Sequence, residues 1–210
     1  KNRNPFNFFM SKEKIESITV SYLRDLQNSF DDEVVKKIYK LANSLMQCWK
    51  ENRNVFICGN GGSGANAIHI ANDFLYGIGA TNAKTIMNGL SIESLVSNQA
   101  VMTCLANDIG YENIFSFQLD VKASPNDLLI VLSGSGNSQN IINVLETASR
   151  KKIKTFAIVA FEGGRCKDIA DEFIHIKENN MELAEDSQMI IFNICKKYLS
   201  GYRKEILFKN

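Results

Sequence analysis

The chain reads as an α/β protein, a parallel sheet with helices packed on both of its faces. Three observations carry that expectation. Short apolar runs within 55–58, 127–132 and 154–160 suit strands buried on both sides. Stretches with apolar residues every third or fourth position alternate with those runs along the chain. Two of the runs empty into glycine-rich turns that lead directly into a helical pattern, as the crossover units of a parallel sheet do.

Taken in order, residues 1–10 mix Asn and Lys with Phe6, Phe8 and Phe9, aromatics expected to dock on a neighbouring subunit or on the domain body. From Ser11 the pattern is helical, with Ile15, Ile18, Tyr22 and Leu26 on one side. A second helix over 32–50 carries Val34, Ile38, Leu41 and Leu45, and Asp31 and Asp32 suit its start. The 55–58 strand, a glycine turn and a helix follow. A weaker strand is expected at 83–87, a helix at 91–105, a turn over 107–111 and helix again at 112–123. Asp-Leu-Leu-Ile-Val-Leu at 127–132 is the strongest strand; a helix runs on to about 151 and a strand occupies 154–160. An edge strand at 172–176 and a long helix at 182–199 close the pattern. The 210 residues divide most simply into a helical segment, 1–50, and an α/β core, 51–200, of one domain.

Composition excludes several classes. A net charge of +1 gives no electrostatic reason for a nucleic-acid or anionic-membrane partner. No apolar run approaches membrane-spanning length, and no secretory signal is visible. Five cysteines without Cys-x-x-Cys spacing argue against a disulfide framework or zinc knot; Cys58, Cys104 and Cys195 are expected as reduced core residues of a cytoplasmic protein.

The chemistry gathers in two turns. Gly59, Gly61, Gly62 and Gly64 follow the first strand, with Ser63 among them, so free backbone N–H groups at a helix start can meet an anion. The same residues match Gly-x-Gly-x-x-Gly, but no acidic residue closes the next expected strand to hold a ribose, which disfavours a dinucleotide. Farther on, His69 and Asp73 are four apart and share a helix face. The second turn, Ser133-Gly134-Ser135-Gly136-Asn137-Ser138, offers hydroxyls at a strand's carboxyl end, and it lacks the lysine of a triphosphate loop. Together they suit a phosphate monoester. The bland alternatives are a flexible connection for the second turn, a surface polar pair for His69 and Asp73, and an exposed first-turn acid for Glu185.

Cys-Gly-Asn-Gly-Gly-Ser at 58–63, Ala-Asn-Asp-Ile-Gly-Tyr at 106–111 and Leu-Ser-Gly-Ser-Gly-Asn-Ser at 132–138 resemble the sugar isomerase (SIS) domain family, and within it the phosphoheptose isomerases. The resemblance implies a three-layer α/β/α sandwich with a parallel, flavodoxin-like sheet, and a homotetramer with sites shared between subunits. It implies interconversion of sedoheptulose 7-phosphate and D-glycero-D-manno-heptose 7-phosphate. By position, Asn60, Gly61, Gly62, Ser63, Ser133, Gly134, Ser135 and Ser138 would hold the phosphosugar, and Asn107 and Asp108 its hydroxyls. Asp73 would be the base; Glu185 would touch substrate and act with it. His69, Asp73 and Glu185 would hold a divalent metal such as zinc. Eight residues after Glu185 the family has a histidine, and here stands Asn193; sliding the match by three puts Gln188 and Lys196 at the two positions instead. The first register keeps the Glu-Asp pair and is preferred. His175 is expected at the surface of the edge strand. The alternative function is a non-catalytic phosphosugar sensor or interaction scaffold on the same fold.

Overall fold

The computed structural model describes residues 11–82, 85–86 and 88–208. The aromatic segment 1–10 lies outside them. Two helices come first, α1 (Lys12–Asn28) and α2 (Asp32–Lys50). Ser11 and Asp31 cap them, each side chain accepting a hydrogen bond from a first-turn N–H. Helix α2 buries Val34, Ile38, Leu41 and Leu45, whereas α1 buries nothing and is anchored by the Tyr22 hydroxyl, which donates to Asp186 at 2.7 Å. Partial burial first, and then the Asp186 carboxylate, push that phenol up to about 12.

Five strands form one parallel sheet: β1 (Val55–Gly59), with β4 (Ile92–Ser94), β5 (Leu128–Ser133), β6 (Lys154–Val159) and β7 (Glu172–His175), in the order β4-β1-β5-β6-β7. Between β1 and β4 in the chain, β2 (Ala80–Asn82) and β3 (Thr85–Ile86) make a separate antiparallel ribbon. Counted within the large sheet, the order is second-first-third-fourth-fifth, the flavodoxin-like arrangement. Helices α2, α3 (Gly61–Asn72) and α8 (Met181–Phe208) cover one face; α5 (Ser116–Lys122) and α6 (Gln139–Arg150) cover the other. Strand β5 shows how the sequence builds two cores at once. Leu128, Ile130 and Leu132 pack with Leu41, Phe74 and Phe192, while Leu129 and Val131 pack with Phe115, Leu119 and Leu145.

Several expectations needed correction. Residues 91–105 are not one helix: Ile92–Ser94 form the edge strand β4, and α4 (Gln99–Ile109) starts after the Asn98 cap. The spacing of Leu90, Ile92 and Leu95 had concealed a three-residue strand. Asn107 and Asp108 sit in the last turn of α4, not in a loop; the chain reverses at Gly110, at φ 92°. A 3-10 turn, Tyr111–Asn113, precedes α5, so the 112–123 helix is shorter than expected. The 83–87 strand survives only as β3; Ala83, Lys84 and Met87 are outside the described residues. Cys104 is exposed on α4 and donates to Asp108, unlike the fully buried Cys58 and Cys195. His175 is half-buried with its ring nitrogen 2.6 Å from the Phe161 carbonyl oxygen, so it is a packed residue and not a surface one. The last helix is also longer, reaching Phe208. A short helix, α7 (Cys166–Ile169), joins β6 to β7. Among the described residues no helix is long and apolar enough to cross a membrane.

Candidate active site

Strands β1 and β5 are neighbours whose helices leave toward opposite faces, which opens a crevice beyond their carboxyl ends. Both special turns are there. Asn60, Gly61, Gly62 and Ser63 from the first, and Ser133, Gly134, Ser135 and Ser138 from the second, line one cleft of about 240 Å³ together with Leu132, Met181 and Glu185. Asn60 and Ser138 are the N-cap residues of α3 and α6, yet neither side chain makes the capping hydrogen bond. The first-turn N–H groups of two helices are therefore left for something else, and an anion is the partner they favour. Among the described residues no Lys or Arg lines the cleft.

The two turns are tied to each other. Asn60 and Asn140 exchange amide hydrogen bonds, 2.9 Å and 2.8 Å, and the Tyr111 hydroxyl donates to the Asn60 Oδ1 at 3.0 Å. Ser133 is nearly buried and accepts from the Gly136 N–H, while Ser135 is exposed at the rim and accepts from Asn137 N–H. Ser63 is held from below by Gln188, whose Nε2 donates to its hydroxyl at 3.0 Å. Asn66 donates both to the Gln188 side chain and to the Glu185 carbonyl, pinning α8 alongside the start of α3. The Glu185 carboxylate lies directly over Gly62, where any Cβ would collide with it. Only glycine allows a carboxylate that close to the helix end.

A second cluster sits farther along the same two helices. The chain leaves α3 through a π-helical turn, Asp73–Gly77, a distortion that commonly re-aims a side chain at a functional site. Asp73 there bonds Lys196 Nζ at 2.8 Å and lies 3.6 Å from His69 Nε2. Lys196, not Asn193, therefore faces Asp73; Asn193 is exposed. Glu185 keeps its expected place at the cleft wall, and the residue of α8 that meets Asp73 is Lys196, named by the other register. Eleven residues are close to three whole turns, so Lys196 shares a stripe of α8 with Glu185, the one beside Asp73 and the other at the cleft.

The metal set His69, Asp73 and Glu185 is not assembled within one chain. Asp73 follows Gly62, beneath Glu185, by eleven residues, roughly 16 Å along the axis. Among the described residues no three His, Cys, Asp or Glu side chains converge where an ion could be held. The third corner of the His69–Asp73 pair is an ammonium, which has no lone pair to give. These residues do not fit a zinc ion.

Asn107 and Asp108 do not reach the cleft either; Asn107 donates to its neighbour Asp108 on the exposed surface of α4. The 106–111 motif is joined to the cleft instead through Tyr111, whose hydroxyl bonds Asn60 of its lining. Asn140 and Asn66 are not recognisable as site residues from sequence, and Gln188 entered only through the alternative register, since their roles depend on which polar helix residue faces a loop far away in the chain.

A family model described as the SIS domain matches residues 20–160. The chain belongs to the SIS domain family. Among similar curated SIS proteins, the phosphoheptose isomerase of Buchnera aphidicola is 33% identical over 170 residues, 77% of this chain and 81% of that one. The phosphoheptose isomerase of Aneurinibacillus thermoaerophilus is 29% identical over 180 residues, 86% of each chain. In fold, the chain is similar to the solved phosphoheptose isomerase of Francisella tularensis, with a TM-score of 0.81 at 23% identity over 92% of this chain and all of that one. The two serine-bearing turns and strands β1 through β6 fall inside the SIS match, and Met181 and Glu185 of the cleft lie beyond it.

Proposed function

We propose that the chain is a phosphosugar aldose–ketose isomerase that interconverts sedoheptulose 7-phosphate and D-glycero-D-manno-heptose 7-phosphate through an enediolate. The observation that carries this reading is the convergence of two hydroxyl-bearing turns and two uncapped helix ends on one cleft. Membership of the SIS family and the phosphoheptose isomerases among its relatives give the reaction and the sugar. Ser63, Ser133, Ser135 and Ser138 donate to the phosphate oxygens, with the α3 and α6 N–H groups behind them. Ser135→Ala weakens phosphosugar binding about tenfold, the loss of one hydrogen bond to a charged group, read by calorimetric titration; unchanged affinity would remove that turn from the site.

The reaction needs a base at carbon and a positive group at oxygen. From the ketose, Asp73 takes a proton from C1. The C1–H electron pair becomes the C1–C2 double bond, and the C2 carbonyl pair moves onto its oxygen. The proton is then delivered to C2, while the C1 hydroxyl passes its own proton to the C2 oxygen and becomes the aldehyde. Electrons balance within the sugar, so no redox partner is required. Glu185, at the cleft wall, touches the sugar next to the phosphate.

Asp73 and His69 do not line the cleft of their own chain. We read the working enzyme as a homotetramer, located in the cytoplasm, in which the Asp73 cluster of one copy completes the cleft of another. Supporting this, α1 turns Ile15, Ile18, Val20 and Leu23 outward, and an apolar groove lined by Leu23, Leu26, Phe30, Ile38, Ile190 and Ile194 runs beside it. A binding protein without turnover keeps one observation on its side: the two histidines of the chain, His69 and His175, both lie outside α8. Incubation of the purified chain with sedoheptulose 7-phosphate, followed by NMR with and without zinc, separates the two. Aldose signals are expected; phosphosugar binding without turnover at every zinc level would favour the binding protein.

A further inference from the structure

We propose that Lys196 is the resident cation of the isomerase site, so that catalysis proceeds without a divalent metal. The inference rests on the isomerase reading above and deepens it. Isomerisation builds negative charge on an oxygen beside the carbon that Asp73 deprotonates, and a positive group fixed there stabilises the enediolate. A bound metal is one way to supply that charge, and the ammonium of a lysine is another. Here the ammonium is already in place, 2.8 Å from Asp73 Oδ2. It cannot serve as a ligand while it carries its proton, and it repels a second cation from the same carboxylate.

The position is built. Lys196 is partly buried, and its side chain passes over Gly77, the last residue of the π-helical turn. A Cβ at position 77 would lie 3.1 Å from Lys196 Cε and 3.3 Å from Nζ, tighter than the chain allows without displacement. The glycine leaves a seat for the ammonium. On the same helix, Phe192 stacks edge-on against Phe74 at 5.9 Å, so α8 and the π-helical turn hold Lys196 and Asp73 together as one unit. Whichever copy receives the carboxylate receives the cation with it. Lys196 then donates a hydrogen bond to the C2 oxygen as its charge develops, and to the C1 oxygen on the return.

The test uses the full chain, the Lys196→Met, Lys196→Arg and Lys196→His variants, and sedoheptulose 7-phosphate, with NMR for turnover and calorimetry for zinc binding. Wild type is expected to keep its rate after exhaustive chelation, to gain nothing from added zinc, and to bind none at Asp73. Lys196→Met is expected to lose turnover about a hundredfold or more while binding the phosphosugar as before, the phosphate cleft being remote; Lys196→Arg recovers part of the rate. Lys196→His, which restores a third donor beside His69 and Asp73, is expected to bind zinc where wild type does not. Turnover that falls on chelation and returns with zinc, or a Lys196→Met variant at full rate, would overturn the proposal and leave the isomerase reading intact. No turnover by wild type under any condition would instead sink the isomerase reading, and this proposal with it.

Discussion

Asp73→Asn lowers kcat for sedoheptulose 7-phosphate by about 10²- to 10⁴-fold, the span that one positioned general base contributes, and leaves phosphosugar affinity nearly unchanged. The substitution keeps the size and hydrogen-bonding shape of the side chain but removes the lone-pair basicity that takes a proton from carbon. Because the phosphate turns lie far along α3, ground-state binding does not depend on this carboxylate. The loss therefore falls equally on kcat and kcat/KM, the pattern of an interaction made only in the transition state. Lys196 is about a third exposed, so water solvates its ammonium once the carboxylate is gone, and the variant folds. Steady-state kinetics with a parallel calorimetric titration checks both halves. Turnover retained by Asp73→Asn would remove this residue from the base position.

Phe192→Ala costs about 3–5 kcal/mol of stability, the range for emptying a large buried aromatic position. Phe192 and Phe74 are nearly inaccessible and meet edge to face at an interplanar angle of 89°. Truncation leaves a cavity between α8 and the π-helical turn, within the core on that face of the sheet. The urea midpoint measures the effect on folding. A second effect follows from position. The same contact fixes the angle at which the turn presents Asp73, so the folded variant also turns over more slowly at saturating substrate. A shift of less than about 1 kcal/mol would mean that the core collapses around the missing ring.

What the sequence disclosed and what it hid follow one physical line. Strand β5 was readable because burial on both faces demands an unbroken apolar run, and the five residues from Leu128 to Leu132 stand together. Asp31, Ser11 and the glycine turns were readable because capping and tight turns restrict residue type locally. Strand β4 was not, since three residues at a sheet edge carry too little pattern to compete with a helical spacing. The partner of Asp73 was hidden for a different reason. Choosing between Asn193 and Lys196 requires the phase of α8 against α3, and that phase is set by Asn66, Gln188 and Ser63, contacts spanning more than a hundred residues. Residue type alone does not fix rotation, and rotation decides what a helix shows its neighbour.

Asn60 and Asn140 bind each other through both ends of both amides, closing the gap between the two turns with groups that neither gain nor lose protons in ordinary water. A clasp of that kind has no ionic part for dissolved electrolyte to screen and no switch for acidity to throw. The mouth of the cleft thus keeps one gauge as acidity and salt vary, and only what passes through it changes.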